Sequence, residues 1–170
     1  MTAPPPEAAA SVACEPMTAA TRADARELLA AFLLGDEHYL ASAPAYGGGG
    51  ADALDGALEL FLARPEIGFV WLAFAHEGGR RLAVGACVAC RAISTSRGSV
   101  VAKLDDVTVR AGWQGRGVGG AMMEALADRL RAEGATRIDT GCHRANAGAW
   151  RFYERQGFRP LDEERIARLL

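Results

Sequence analysis

The sequence predicts a mixed α/β (α+β) domain built on one central sheet, and three observations carry that prediction. First, Ile67–Val109 contains three apolar, β-prone segments separated by the turn signals Glu77-Gly78-Gly79-Arg80 and Ser94-Thr95-Ser96-Arg97-Gly98, an antiparallel meander. Second, Leu104–Cys142 reads as strand, glycine-rich turn, amphipathic helix and strand, a β-α-β unit. Third, the strand segments are long runs of small and β-branched residues, the pattern of a sheet covered on both faces. No internal repeat is visible.

Taken in order, Val12–Met17 reads as a short first strand. Thr21 is placed to cap a helix with Asp24 in its first turn, and Leu28, Leu29, Phe32 and Leu33 form its buried face. The polar cluster Asp36-Glu37-His38-Tyr39 past Gly35 reads as a solvated loop. Ala43–Gly50 is rich in breakers. A second helix is expected from Asp52 to Ala63, striped by Leu54, Leu58 and Leu62, and Pro65 ends it. After the meander, Val118, Met122, Leu126 and Leu130 mark the long helix, which Gly134 stops. Thr136–Cys142 is the next strand, Ala147–Gln156 a helix, and Phe158–Ile166 the closing strand. The order is β-α-α-β-β-β-α-β-α-β. Residues 1–10 read as a disordered leader and 11–170 as a single domain.

Composition narrows the function classes. The chain has 170 residues, 50% of them hydrophobic, and a formal net charge of -2. It carries no basic run or stripe, which argues against nucleic acid as a partner. No apolar stretch is long enough to span a membrane, and the N-terminus lacks the basic region of a signal peptide, so a cytoplasmic location is expected. Cys87-Val88-Ala89-Cys90 matches CxxC in form. It lies within an expected strand, where residues three apart point to opposite faces, and it lacks a second pair. Reduced, structural thiols and no metal site are therefore expected.

The most informative stretch is the turn before the long helix. Gly115, Gly117, Gly119 and Gly120 crowd a helix start, where unpaired N–H groups and a partial positive charge favour a phosphate-bearing ligand. Two motifs fit. Gly115-Arg116-Gly117-Val118-Gly119-Gly120 satisfies the dinucleotide GxGxxG. That motif should follow its strand almost at once, whereas Arg110–Gln114 intervene and other strands precede. The alternative is Gln-x-x-Gly-x-Gly at Gln114, Gly117 and Gly119.

Preceded by Leu-Asp-Asp-Val-Thr-Val and followed by an amphipathic helix, Gln114–Gly119 resembles the acyl-CoA signature of the GNAT N-acetyltransferases. Downstream, Asn146-Ala147-Gly148-Ala149-Trp150-Arg151-Phe152-Tyr153-Glu154-Arg155-Gln156-Gly157-Phe158 resembles the family's Asn-x-x-Ala-x-x-Phe-Tyr-x-x-x-Gly-Phe at every named position. The close resemblance covers Leu104 to Pro160. It implies a GNAT-like, mostly antiparallel sheet flanked by helices and an acetyl-CoA-dependent N-acetyltransferase. The acceptor would be a primary amine of a small molecule or peptide, attacking directly in a ternary complex.

The resemblance also implies roles. The backbone N–H groups of Gln114, Gly115, Arg116, Gly117, Val118, Gly119 and Gly120 would take the CoA pyrophosphate, with added charge from Arg116. Val107, Thr108 and Val109 would offer a strand edge to the pantetheine amides, where neighbouring strands splay in the family. Asn146 would bond to that arm and Ala149 would pack near it. The Val109 N–H would stabilise the oxyanion. Tyr153 matches the tyrosine that serves as general acid in many members; packing alone could equally place its ring in the core and its hydroxyl on a backbone group.

The base is less defined. Asp105 and Asp106 are candidates. Alternation puts Asp105 on the face of Val107 and Val109 unless a bulge intervenes. The glutamate base of the histone-acetylating branch would fall at Lys103 and is not carried over. Polyamine-type relatives place an acidic residue at the Asp105 position, and His143 is a third candidate. Two other readings compete: a non-catalytic acyl-CoA sensor or subunit of the same fold, and an NAD(P)-binding oxidoreductase. A homodimer is compatible with the sequence.

Overall fold

A computed structural model describes residues 11–47, 49–161, 163 and 167–169. The expected leader at 1–10 lies outside the described residues. Five strands, β1 (Ala13–Pro16), β2 (Gly68–Glu77), β3 (Arg80–Ser94), β4 (Ser99–Val109) and β5 (Ile138–Thr140), form one sheet in sequence order. The first three pairings are antiparallel and β4–β5 is parallel. The helices are α1 (Arg22–Gly35), α2 (Glu37–Ser42), α3 (Gly50–Ala63), α4 (Val118–Ala132) and α5 (Ala147–Arg155).

The sheet is covered on both faces, as its apolar strands require. One core joins Trp71, Cys87, Leu104 and Trp113 to the α4 stripe Val118, Met122, Leu126 and Leu130 and to Tyr153 of α5. The other joins Val70, Leu72, Ala86 and Val88 to Leu28 and Leu29 of α1 and Leu54 and Leu58 of α3. Cys87 and Cys90 accordingly fall on opposite faces, and all four cysteines are free thiols. The buried Trp71 indole donates from Nε1 to the Met122 carbonyl at 3.2 Å, so α4 is fixed to β2 by a directional bond as well as by packing.

Several local expectations are corrected. Asp36–Tyr39 is not a solvated loop. Asp36 is the N-cap of α2, its Oδ1 accepting the Tyr39 N–H at 2.7 Å, and one such bond suffices to start a short helix. Thr21 stands at the N-cap position of α1 but makes no side-chain cap. Its hydroxyl turns back and accepts the Thr18 N–H at 2.9 Å across a preceding 3-10 turn. The strand expected over Thr136–Cys142 contracts to Ile138–Thr140, because only three residues pair with β4. Residues 158–161 of the expected closing strand are not in a strand; residues 162 and 164–166 of it lie outside the described residues.

Candidate active site

The site begins with a fault in β4. Val88 stands opposite Asp105 and Ala86 opposite Thr108, so Cys87 alone faces two residues, Asp106 and Val107. This is a β-bulge, and Asp106 takes the left-handed conformation it needs, with φ +53°. Aspartate tolerates that region better than most L-residues. The bulge has two consequences for the chemistry.

The first is a wedge. β4 pairs with β5 only at Ala102–Ile138, Lys103–Asp139 and Leu104–Thr140, and the strands part just before the bulge. Beyond it, the Arg110 N–H donates to the Val84 carbonyl at 2.8 Å. Backbone groups alternate in direction along an antiparallel ladder, so Val109, opposite Gly85, turns its N–H and carbonyl away from β3 and toward the open side. Thr108, opposite Ala86, is directed to β3, so of the two it is Val109 whose backbone faces the wedge.

The second is a change of phase. Leu104 belongs to the α4/α5 core, and beyond the bulge Val107 and Val109 pack on that same face. Asp105, paired with Val88, lies on the α1/α3 face. The expected sharing of a face by Asp105, Val107 and Val109 therefore does not hold. Cys90 lies near both Asp105 and Asp106, and their charges add to burial in pushing its thiol up.

Next to the wedge, residues 111–117 form a turn rather than a helix start, and α4 opens at Val118 with Gly117 as its N-cap at φ +80°. Gln114 folds back and donates from Nε2 to the Val109 carbonyl at 3.1 Å, tying the turn to the wedge. Arg116 stacks over the buried Trp113 ring, 4.1 Å from its centroid, which holds a cation beside the first N–H groups of α4. Val118 is buried in the core behind the turn. Gly115, at φ +76°, has open space at its Cβ position. A Cβ at Gly120 would lie 3.4 Å from Gln156 Nε2.

On the other flank, Asn146 caps α5, its Oδ1 accepting the Ala149 N–H at 2.9 Å, and leaves Nδ2 as the donor it can offer. Tyr153 is only 9% exposed and packs edge-on against Phe152 and Phe158. Burial, with smaller contributions from Cys142, Cys87 and Asp105, pushes the phenol up to about 12, and the nearby Thr140 side chain works the other way. Thr140 in turn donates from Oγ1 to the Leu104 carbonyl at 2.9 Å. Tyr153 thus lies in the core beside Leu104, close to the last β4–β5 rung at Thr140.

His143 follows three residues after that rung. Its Nδ1 accepts the Ala145 N–H at 3.2 Å. It stacks on His38 of α2, with ring centroids 5.3 Å apart, so α2 meets the segment leaving β5. Reading the sequence alone missed Thr140, His38 and Arg110. Arg110 donates to the Ala83 carbonyl at 2.8 Å and to Glu27 of α1 at 2.6 Å, pinning α1 beside the wedge.

With this geometry in place, comparison with known proteins identifies the class. The family model described as "Acetyltransferase (GNAT) family" matches residues 34–158, well over half of the chain. The chain belongs to that family and is a GNAT-type N-acetyltransferase. Solved structures share its fold at low identity. A probable acetyltransferase superposes with TM-score 0.72 at 22% identity, covering 93% of this chain and 97% of that one. AAC(6')-Iy, solved with the bisubstrate analogue CoA-S-monomethyl-acetylneamine, gives 0.71 at 16% identity over 94% and 99%. Glucosamine-6-phosphate N-acetyltransferase from Arabidopsis thaliana gives 0.66 at 14% over 93% and 98%. No curated protein matches the chain in sequence. The mixed, mostly antiparallel sheet flanked by helices is the fold expected from the sequence.

Proposed function

We propose that this protein transfers the acetyl group of acetyl-CoA to a primary amine of a small molecule or peptide, within a ternary complex. The observation that carries the reading is the wedge between β4 and β5, with the Val109 backbone on its open side and Tyr153 of α5 buried in the core on the face of Leu104 and Val109. The pyrophosphate lies against the turn and the first N–H groups of α4, beside Arg116. The pantetheine arm follows β4 from Val107 to Val109, with Asn146 Nδ2 donating to it and Ala149 packing near it. The thioester reaches the apex.

The neutral amine attacks the thioester carbon from the α1/α2 side, forming C–N as C–S breaks. The Val109 N–H meets the oxyanion. The nitrogen's surplus proton leaves through water to Asp105, with Asp106 adjacent, and Tyr153 supplies a proton to the departing thiolate. Base and acid then act from opposite faces of the sheet. Two half-buried carboxylates on or beside the acceptor side suit a cationic acceptor. We place the reaction in the cytoplasm, where four free thiols remain reduced.

A second reading has its own observation. A Tyr153 ring buried edge-on between Phe152 and Phe158 is also what packing alone produces, as in a non-catalytic acyl-CoA sensor. CoA release from acetyl-CoA across amino acids, polyamines, aminoglycosides and N-terminal peptides separates the two. The catalytic reading expects turnover with at least one class, and a kcat about 10²–10⁴-fold lower in Tyr153→Phe at unchanged acetyl-CoA affinity. Binding of acetyl-CoA without turnover on any amine favours the sensor.

A further inference from the structure

β4 ends at Val109, and at Arg110 the chain leaves the sheet for the turn over residues 111–117. The last rung between β4 and β3 is the Arg110 N–H on the Val84 carbonyl, at 2.8 Å. A trans peptide is planar, with its N–H and its carbonyl pointing opposite ways. Holding the Arg110 N–H on β3 therefore turns the Val109 carbonyl to the wedge, where Gln114 Nε2 meets it. Within a strand the Val109 N–H points the same way as that carbonyl. The direction of both groups thus hangs on a rung at a strand end, the kind that opens first.

The Arg110 side chain reinforces that rung. Its Nε donates to the carbonyl of the buried Ala83 at 2.8 Å, so Arg110 takes two consecutive carbonyls of β3. Consecutive carbonyls of a regular strand face opposite neighbours. Here β3 is irregular: Ala83 stands opposite Phe74 and Gly85 opposite Ala73, which leaves Val84 as an extra residue. Nη1 donates to Glu27 Oε1 of α1 at 2.6 Å. The guanidinium is planar and three-quarters buried, so the bonds from Nε and Nη1 fix it from two directions.

We infer that Arg110 is a positioning residue for acyl transfer: its guanidinium, held between the Ala83 carbonyl and Glu27, keeps the Val109 backbone turned to the wedge. The same side chain ties α1, on the proposed acceptor side, to the end of the strand that takes the cofactor. The inference rests on the reading that the pantetheine arm follows β4 and that the Val109 N–H meets the oxyanion.

Two measurements test this, and the first needs no acceptor. Affinity is measured for acetyl-CoA and for 3′-phospho-ADP, the part of CoA that lacks the pantetheine arm. Arg110→Met keeps the length of the side chain and removes its donors. It is expected to weaken acetyl-CoA binding about 10- to 100-fold and to leave 3′-phospho-ADP binding nearly unchanged. Arg110→Lys keeps the charge for Glu27 but lacks the planar fork, and it should show the same selective loss even where Arg110→Met does not fold. No loss, an equal loss for both ligands, or full recovery by Arg110→Lys overturns the inference. Equal wild-type affinities for the two ligands would overturn the placement of the arm on β4, and this inference with it.

The second measurement is turnover at saturating acetyl-CoA with the best amine of the panel. Arg110→Met is expected to lower kcat about 10- to 100-fold with KM for the amine nearly unchanged. Glu27→Ala should act in the same direction by a smaller factor, because Glu27 is largely exposed, and should cost nothing further in an Arg110→Met background. An unchanged kcat in Arg110→Met, or an undiminished Glu27→Ala effect in that background, overturns the inference.

Discussion

Gly119 of α4 lies directly against Phe152 of α5: a Cβ added to the glycine would come within 3.0 Å of Phe152 Cε2, and within 3.6 Å of Val109 Cγ2. The two sequence motifs that pointed to the family therefore meet in space. Gly119 is needed for this packing, whatever it also does for a ligand. Replacing it with alanine should gain about 0.5–1 kcal/mol of helix preference and lose about 1–3 kcal/mol to overpacking, so overpacking wins. Gly119→Ala is expected to lower Tm, Gly119→Val to lower it further, and Phe152→Leu to recover part of the loss. A Gly119→Ala protein as stable as the wild type would mean that Phe152 yields freely. Weak acetyl-CoA binding by either variant is informative only after Tm is measured.

The bulge gives a second expectation. At φ +53° the Asp106 backbone suits glycine, asparagine or aspartate. Asp106→Asn should change stability little. Asp106→Val should cost about 1–2 kcal/mol from the left-handed conformation alone, and more if β4 straightens. Straightening would slip the register at Val109 and turn its N–H from the wedge to β3, so acetyl-CoA affinity should fall with stability. Calorimetry paired with acetyl-CoA titration checks this. Normal affinity in a folded Asp106→Val protein would separate the bulge from cofactor binding.

What the sequence disclosed and what it withheld divide along physical lines. The stripe Val118, Met122, Leu126 and Leu130 was legible because a helix repeats its contacts every three or four residues, and all four are buried. The meander was legible from its turns. The bulge was not, because the left-handed residue is an aspartate in a strand that otherwise alternates normally. With it went the face of Asp105. Helix α2 was hidden for another reason: six residues held by one Asp36 cap leave no periodicity to read. Thr140 was beyond reach because its partner Leu104 is 36 residues away and nothing local to either residue announces the bond.

Tyr153 carries an alkaline signature in the fold itself. Burial raises its phenol to about 12, above its ordinary value of 10. The folded protein thus keeps a proton that the unfolded chain loses. The stabilising contribution is complete below pH 10 and disappears as pH rises from 10 through about 12. In chemical denaturation, Tyr153→Phe should flatten the loss of stability across that window relative to wild type. Parallel curves would mean that the phenol ionises equally easily in both states. The same shift keeps Tyr153 protonated throughout the neutral range, as a proton donor must be.

The base makes the last prediction, and the bulge changes its grounds. Asp105 does not share a face with Val107 and Val109. It lies beside Val88 on the side of α1, across the sheet from Tyr153. On the proposed reading the amine enters from that side, Asp105 would take its proton and Tyr153 would give one to the leaving group. The aspartate side chain is short, so a water completes the path. His143 has its Nδ1 engaged by the Ala145 N–H. An alkylamine arrives protonated at neutral pH, and the rate should climb with pH until the amine is free. Asp105→Asn should therefore lower kcat/KM most at low pH, by about 10²–10⁴-fold, with part of the loss returning at high pH, where solvent deprotonates the amine. Asp106→Asn should leave the profile in place. The measurement is a pH–rate profile of both variants with one good acceptor at saturating acetyl-CoA. If the Asp105→Asn profile merely parallels that of the wild type, Asp105 is no base, and the proton must leave the amine through solvent alone.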